Sequence, residues 1–218
     1  MDLYEAMRCA PTSRRFTADP VPEEPLQRAL DAARFAPSGG NRQGWRVVVV
    51  RDPARRAALR DLYLPGWRAY LERTGGARVL ADPDTFDART VTRVRRADEY
   101  AQGLADVPVH LVVGVVLEDL AVTDAQLQRQ SIVGGASVYP FVQNLLLALR
   151  AEGLGAALTT LLVPAEAEVK RLLDIPDGIA LAGHVGVGHR AEEWPASLSR
   201  RPVQEFAFAE RYGEPLVQ

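Results

Sequence analysis

The chain has 218 residues, 47% of them hydrophobic, which is enough to bury a substantial core in a single domain. A formal net charge of −2 gives no global reason to expect nucleic acid or an anionic membrane as a partner, so positive charge has to matter locally. Cys9 stands alone, which excludes an intramolecular disulfide and argues against a cysteine-based metal site. No apolar run approaches the roughly 20 residues of a membrane span, and Met1-Asp2-Leu3-Tyr4-Glu5 lacks a basic stretch followed by an apolar one; the expectation is a cytoplasmic protein. Of the 26 basic residues only Lys170 is lysine, so arginine counts have to be discounted before they are taken as anion sites.

Residues 2 to 9 carry a short helical pattern, with Leu3, Ala6 and Met7 on one face and a stop at Ala10-Pro11. Thr12-Ser13-Arg14-Arg15-Phe16 follows. Two guanidinium groups beside two hydroxyls form either a compact anion-binding cluster or a solvated basic turn. Pro20-Val21-Pro22-Glu23-Glu24 opens the next helix, whose buried stripe is Leu26, Leu30 and Ala33, running to Phe35. The loop Ala36-Pro37-Ser38-Gly39-Gly40-Asn41-Arg42-Gln43-Gly44 then feeds Trp45–Val50, read as a buried strand. Pro37 forbids continuation of the helix, the glycine pair lets backbone press flat against a ligand, and Asn41, Arg42 and Gln43 crowd donors and acceptors together. Such a loop suits a planar heterocycle or a phosphate; the plainer alternative is a helix-to-strand turn with a polar tip. Asp52-Pro53 starts a helix through Leu59 and Leu62 that is expected to break at Pro65-Gly66. From 66 to 103 the periodicity blurs, which predicts a long irregular insertion, either a lid over a binding site or a solvated excursion.

Val107–Leu117 is a β-rich run able to be buried on both faces and is read as a central strand, in which His110 is a core or edge histidine rather than a catalyst. Leu127–Glu152 is expected to be helical, interrupted near Gly134-Gly135, with Val138–Leu149 deeply buried. Gly153–Thr160 returns as a strand, Pro164–Leu173 is a helix, and Ile179–Val187 is the last core strand. The glycines of Gly183-His184-Val185-Gly186-Val187-Gly188 end a strand without opening a helix, so they are not a dinucleotide fingerprint. His110, His184 and His189 have neither a cysteine partner nor zinc spacing, and no metal is expected. The tail from 194 to 218 presents Arg200-Arg201, and the alternation of Val203–Phe208 suggests an edge strand or an arm packed on a second subunit.

The turn Arg14-Arg15-Phe16 with Asp19-Pro20-Val21-Pro22, the loop Ala36–Gln43 before Trp45, Gln143-Asn144-Leu145 leading to Gly153-Leu154-Gly155, and the closing Arg200-Arg201-Pro202 together resemble the nitroreductase-like family of FMN-dependent oxidoreductases. The resemblance covers nearly the whole chain, and the loop is its most specific part. It implies an α+β sandwich with a mostly antiparallel central sheet flanked by helices, one domain over residues 1–218, and an intertwined homodimer with FMN at the subunit interface. By that resemblance Arg14 lies against the pyrimidine edge of the flavin, and Thr12, Arg201 and Arg200 hold the phosphate, with Arg15 in the same cationic cluster. Pro37, Ser38, Gly39 and Asn41 reach the cofactor from the other subunit, while Thr159, Thr160 and Leu161 line the ring near its reactive nitrogen. Two departures stand out: Ala10-Pro11 occupies the place where members usually carry another arginine, and Leu161-Leu162 replaces an acidic residue, leaving that flavin edge to a backbone N–H. The activity implied is ping-pong reduction of nitroaromatics, quinones or a related small-molecule electron acceptor by NADH or NADPH, with no protein nucleophile. Dehalogenating and flavin-fragmenting enzymes share the scaffold, and a flavin-binding or regulatory protein with little turnover is a further alternative.

Overall fold

The computed structural model describes residues 1–216; Val217 and Gln218, the last two residues of the expected 194–218 arm, lie outside the described residues. Among the described residues seven α-helices and four strands follow one another in this order: α1 (Leu3–Cys9), α2 (Glu23–Ala33), β1 (Trp45–Val50), α3 (Pro53–Thr74), α4 (Gly76–Ala81), α5 (Ala88–Gln102), β2 (Val109–Val116), α6 (Tyr139–Ala151), β3 (Leu154–Thr159), α7 (Glu166–Leu173) and β4 (Ile179–His189). The strands form one sheet in the order β1-β2-β4-β3, antiparallel at every pairing. The fold class is therefore α+β, as the sequence implied.

Alternation along β2 sorts the core into two layers. Leu111, Val113 and Val115 point to one face and pack with Leu26, Phe141 and Leu145 of α2 and α6. Val112 belongs to the other layer, with Leu59, Tyr63 and Trp67 of α3. Helices thus cover both faces of the sheet, and β2 is buried almost throughout, as its unbroken apolar run predicted.

Several expectations need correcting. β1 is an edge strand rather than a buried one; it pairs only with β2, and Val49 is exposed. Phe35 is exposed because α2 ends at Ala33, two residues short of completing the stripe. α3 does not break at Pro65-Gly66 but runs 22 residues to a left-handed Gly75. Leu59, Tyr63, Trp67 and Leu71 recur every four residues along it and all are buried. Burying Trp67 and Leu71, the two that lie beyond the proline, at ~1.5–3 kcal/mol each offsets the ~3 kcal/mol that an interior proline costs a helix. The 66–103 stretch is correspondingly not irregular: it holds the second half of α3, all of α4 and α5, and only a short 3₁₀ turn at Pro83–Thr85 between them. Residues 127–138, expected to be helical, take a non-helical path into a 3₁₀ turn at Val133–Ser137. The reason is a polar knot: the Asp124 carboxylate accepts from the Ile132 N–H at 2.9 Å, the Ser131 hydroxyl at 2.7 Å and the Arg129 guanidinium at 2.7 Å. Those bonds hold the Asp124 carboxyl well below its ordinary pKa. In the tail, Val203–Glu205 is a 3₁₀ turn and not a strand, and Phe208 makes a single bridge to Pro215.

Candidate functional site

The site is built outward from β3. Its last ladder pair is Thr159 opposite His184, after which Thr160 and Leu161 leave the sheet. The N-terminal turn lies along the free edge of β3. Thr12 bridges Ala156 in parallel and the Ser13 N–H donates to the Ala156 carbonyl at 2.8 Å. Further on, Phe16 bridges Arg190 and the Thr17 N–H donates to the His189 carbonyl at 2.9 Å. Backbone bonds at both ends therefore fix where Thr12 and Arg14 stand relative to Thr159, Thr160 and Leu161. Those five residues share one cleft of about 810 Å³, whose opposite wall is α3, α4 and α5.

Chemistry inside the cleft is cationic, hydroxylic and aromatic. Arg14 is exposed and forms no ion pair among the described residues. The Tyr63 hydroxyl lies 3.5 Å from Thr159 Oγ1, and the Leu161 N–H donates to that same oxygen at 3.3 Å. Burial pushes the Tyr63 phenol up, opposed by its bond to Thr159 and by the charge of Arg14. The Tyr100 hydroxyl, also at the cleft, is buried without a partner, and desolvation drives its pKa up. Beneath the floor, His110 and His184 are wholly buried and bonded to each other, Nδ1 to Nε2 at 2.6 Å, with nearly coplanar rings. Burial, and secondarily the charge of Arg56, lowers His110 to about 4; burial followed by its partner lowers His184. The pair is a core feature, as expected of His110, and it fills the space under Tyr63.

Other predicted residues lie elsewhere in the chain. Arg15 turns toward Glu192 at 3.9 Å. Ser38 and Gly39 sit against the 117–137 segment: the Gly39 N–H donates to Ser137 Oγ at 3.0 Å, and Ser38 Oγ accepts from the Gln43 N–H at 3.0 Å. Gly40, Asn41 and Gln43 all have left-handed backbone, with φ of 60°, 55° and 53°, so the loop is held in a strained, defined shape. Pro37 and Asn41 are exposed on this loop, outside the cleft of their own chain. Arg200 and Arg201 are exposed on the tail, where Arg201 lies 3.9 Å from Glu205. The structure thus brings together the residues of the N-terminal turn and the end of β3, and leaves the loop and the tail arginines apart from them.

Sequence reasoning offered 66–103 as a lid over a binding site, and Trp67, Tyr70 and Arg73 on α3, Arg78 on α4 and Arg93 on α5 do lie in that stretch and line the cleft; it missed Tyr63 and the helices that carry them all. The four-residue spacing of Leu59, Tyr63, Trp67 and Leu71 would have revealed α3 had Pro65-Gly66 not been given priority.

Against known proteins, the model of the nitroreductase family matches residues 11–189, more than three-quarters of the chain. The chain belongs to the nitroreductase family. It is 33% identical over 180 residues to an NADH dehydrogenase of Thermus thermophilus, covering 83% of this chain and 82% of that one. It is 31% identical over 185 residues to a 5,6-dimethylbenzimidazole synthase of Rhodospirillum rubrum, covering 84% and 79%. Among solved structures, an oxidized iodotyrosine deiodinase bound to FMN and 3-iodo-L-tyrosine superposes with a TM-score of 0.68 at 25% identity, covering 97% and 98%. No helix among the described residues is long and apolar enough to cross a membrane.

Proposed function

We propose that this nitroreductase-family protein is a cytoplasmic, homodimeric, FMN-dependent oxidoreductase that draws electrons from NADH or NADPH and delivers them to a nitroaromatic, a quinone or a related conjugated acceptor. The observation that carries this reading is the cleft of about 810 Å³, where Arg14, without an ion pair among the described residues, and Thr12 stand beside the end of β3 and face a wall of aromatic side chains on α3 and α5. That donor set fits FMN: a guanidinium for its electron-rich pyrimidine edge, a hydroxyl for phosphate oxygens, and enough volume for a second planar ligand beside it. Bound FMN would supply two-electron chemistry, accepting hydride from the nicotinamide and returning electrons to the acceptor.

The protein's own part is positioning and electrostatics. Arg14 would stabilise negative charge developing at the pyrimidine carbonyl. Thr159, Thr160 and Leu161 would flank the ring. Pro37, Ser38, Gly39 and Asn41 lie on the far loop, and Arg200 and Arg201 on an exposed tail, so a second copy of the chain is the natural supplier of those groups. The apolar side chains of the tail, including Phe206 and Tyr212, are exposed and suit the same interface. α3, α4 and α5 form the wall that chooses the acceptor, and donor and acceptor exchanging through one cleft predicts ping-pong kinetics.

A second reading, reductive dehalogenation, is favoured by the likeness to the deiodinase structure with its iodinated aromatic ligand. Purification decides the first step: a yellow protein whose chromophore has the mass of FMN is expected. Steady-state oxidation of NADH and NADPH with menadione, a nitrofuran and 3-iodotyrosine then separates the readings. A colourless protein that takes up no FMN would sink both, and yellow protein without turnover would mark a binding protein.

A further inference from the structure

Charge around the cleft is distributed in a way that the proposed chemistry does not require. Asp and Glu make up 28 of the 218 residues, yet none of the 23 residues lining the cleft is acidic, and four are arginine. Arg14 is on the floor; Arg73, Arg78 and Arg93 sit on the wall, one each from α3, α4 and α5. All four are exposed, and none forms an ion pair among the described residues. Arginines nearby behave differently: Arg15, Arg96 and Arg190 all reach Glu192, Arg190 at 3.0 Å. The richness of the chain in arginine explains the number of guanidinium groups but not the exclusion of carboxylates. On the wall helices, the Asp98 carboxylate accepts the Trp67 indole N–H at 2.7 Å and is not among the lining residues.

Like charges gathered in one concavity repel each other, and at physiological salt the repulsion is screened only beyond ~8 Å. An anion entering the cleft relieves that repulsion and gains charge-assisted, bidentate hydrogen bonds. The same wall carries an aromatic ledge, with Trp67 and Tyr70 stacked at 5.6 Å and the Arg73 guanidinium 5.6 Å from the Tyr70 ring. We propose that the ligand admitted over the floor is a planar aromatic molecule carrying a carboxylate or phosphate, and that Arg73, Arg78 and Arg93 hold that anion and select for it. This rests on the reading of the floor as the flavin site, with the cofactor's own phosphate on the Thr12 side. The anionic group has two sources, an acidic acceptor or the phosphates of the nicotinamide dinucleotide, and the test separates them.

The protein as purified is titrated calorimetrically with 4-nitrobenzoate and with its neutral twin 4-nitrobenzamide. The carboxylate is expected to bind on the order of tenfold tighter or more, since one charged hydrogen bond is worth ~1.5–3 kcal/mol. That preference should shrink as NaCl rises from about 50 to about 500 mM. It should disappear in the triple variant Arg73→Gln/Arg78→Gln/Arg93→Gln and fall in Arg93→Gln alone, with circular dichroism and bound flavin as in the parent. If the KM for NADH or NADPH rises in the variants while 4-nitrobenzoate binding holds, the dinucleotide is the source of the anion. Equal affinity for acid and amide in the parent, with dinucleotide KM values unmoved by the variants, overturns the proposal. Loss of flavin from the variants also overturns it, because the wall arginines would then hold the cofactor. A protein purified without flavin defeats the proposed function, yet the titration still reads whether the wall prefers an anion.

Discussion

The floor and the wall of the cleft are built by different forces. On the floor, Thr12, Arg14, Thr159 and Thr160 are placed by backbone hydrogen bonds of β3 and of the turn laid beside it, which leaves the Arg14 side chain without an ion pair among the described residues, while Thr159 Oγ1 is tied to the Tyr63 hydroxyl and the Leu161 N–H. The wall stands where it does because Leu59, Tyr63, Trp67 and Leu71 of α3, Val79 of α4 and Tyr100 and Ala101 of α5 are buried. Arg14 can be exchanged without breaking an ion pair of the described residues, whereas a substitution at the root of the wall displaces a whole helix. In the function proposed above, electrostatic tuning belongs to Arg14 on the floor and ligand selection to the wall. For the same reason, cutting out residues 66–103 would expose buried core rather than remove a lid.

The largest effect is expected at Arg14. In the role proposed for it, Arg14→Ala removes a preorganised charge worth ~2–4 kcal/mol by analogy with an oxyanion donor, so hydride uptake should slow by roughly 30- to 1000-fold. Because the side chain is exposed and unpaired, stability should change by less than about 0.5 kcal/mol. Anaerobic stopped-flow reduction by NADH, with the flavin potential measured alongside, checks this. An unchanged potential removes the role of Arg14, and a large loss of stability would show that the floor is not independent of packing.

Beneath the floor, the buried imidazole pair supplies a stability test. Unfolded, His110 takes up a proton near its ordinary value of 6.5; folded, it resists until about 4. A depressed value means that stability is complete above about 6.5 and is lost as pH falls toward 4. The loss from His110 alone is about 3 kcal/mol, with His184 acting in the same direction. Asp124 also loses its contribution in acid, but only below its ordinary value of 3.8, so the two windows are separate. Denaturant midpoints between pH 7 and pH 4 should fall steeply, and a flat profile in that range would mean that the pair is not neutral in the native state.

How much of this was legible in the sequence follows the same division. β2, β3, β4 and α6 announce themselves because apolar runs bounded by glycine and proline have few ways to be buried. Thr12, Arg14, Thr159, Thr160 and Leu161 could be placed together because the family resemblance supplied the pairing that the residues alone left open. The wall's place along the chain was legible as the 66–103 excursion, but its helical build was not, since Pro65-Gly66 carries a strong local signal for a break and only tertiary burial of Trp67 and Leu71 overrules it. Asp124 hid the 127–138 path in the opposite way: three side-chain and backbone bonds, invisible to periodicity, unwound a segment that reads as a helix. The unpaired arginines of the wall became visible only once the structure showed which arginines had found a carboxylate.

Floor and wall meet at Gly66, and there the division can be tested most finely. In an ordinary helix Gly→Ala is favourable by ~0.5–1 kcal/mol. A Cβ on Gly66, however, would stand 2.7 Å from the carbonyl oxygen of Leu161, a backbone atom that cannot swing aside. Overpacking of that kind costs ~1–3 kcal/mol, so Gly66→Ala should lower stability by about 1 kcal/mol net and push α3 away from the end of β3. Gly153→Ala is the matched control: its left-handed backbone, φ 78°, also costs ~1 kcal/mol on substitution, but a Cβ there meets no atom within 4 Å and the residue does not line the cleft. Both variants should melt earlier by a similar amount, and only Gly66→Ala should shift the visible flavin spectrum and raise the acceptor KM. If the two behave alike in the spectrum as well as in the melt, then the seam at Leu161 does not transmit the wall's position to the floor, and selection by α3 to α5 is confined to the arginines themselves.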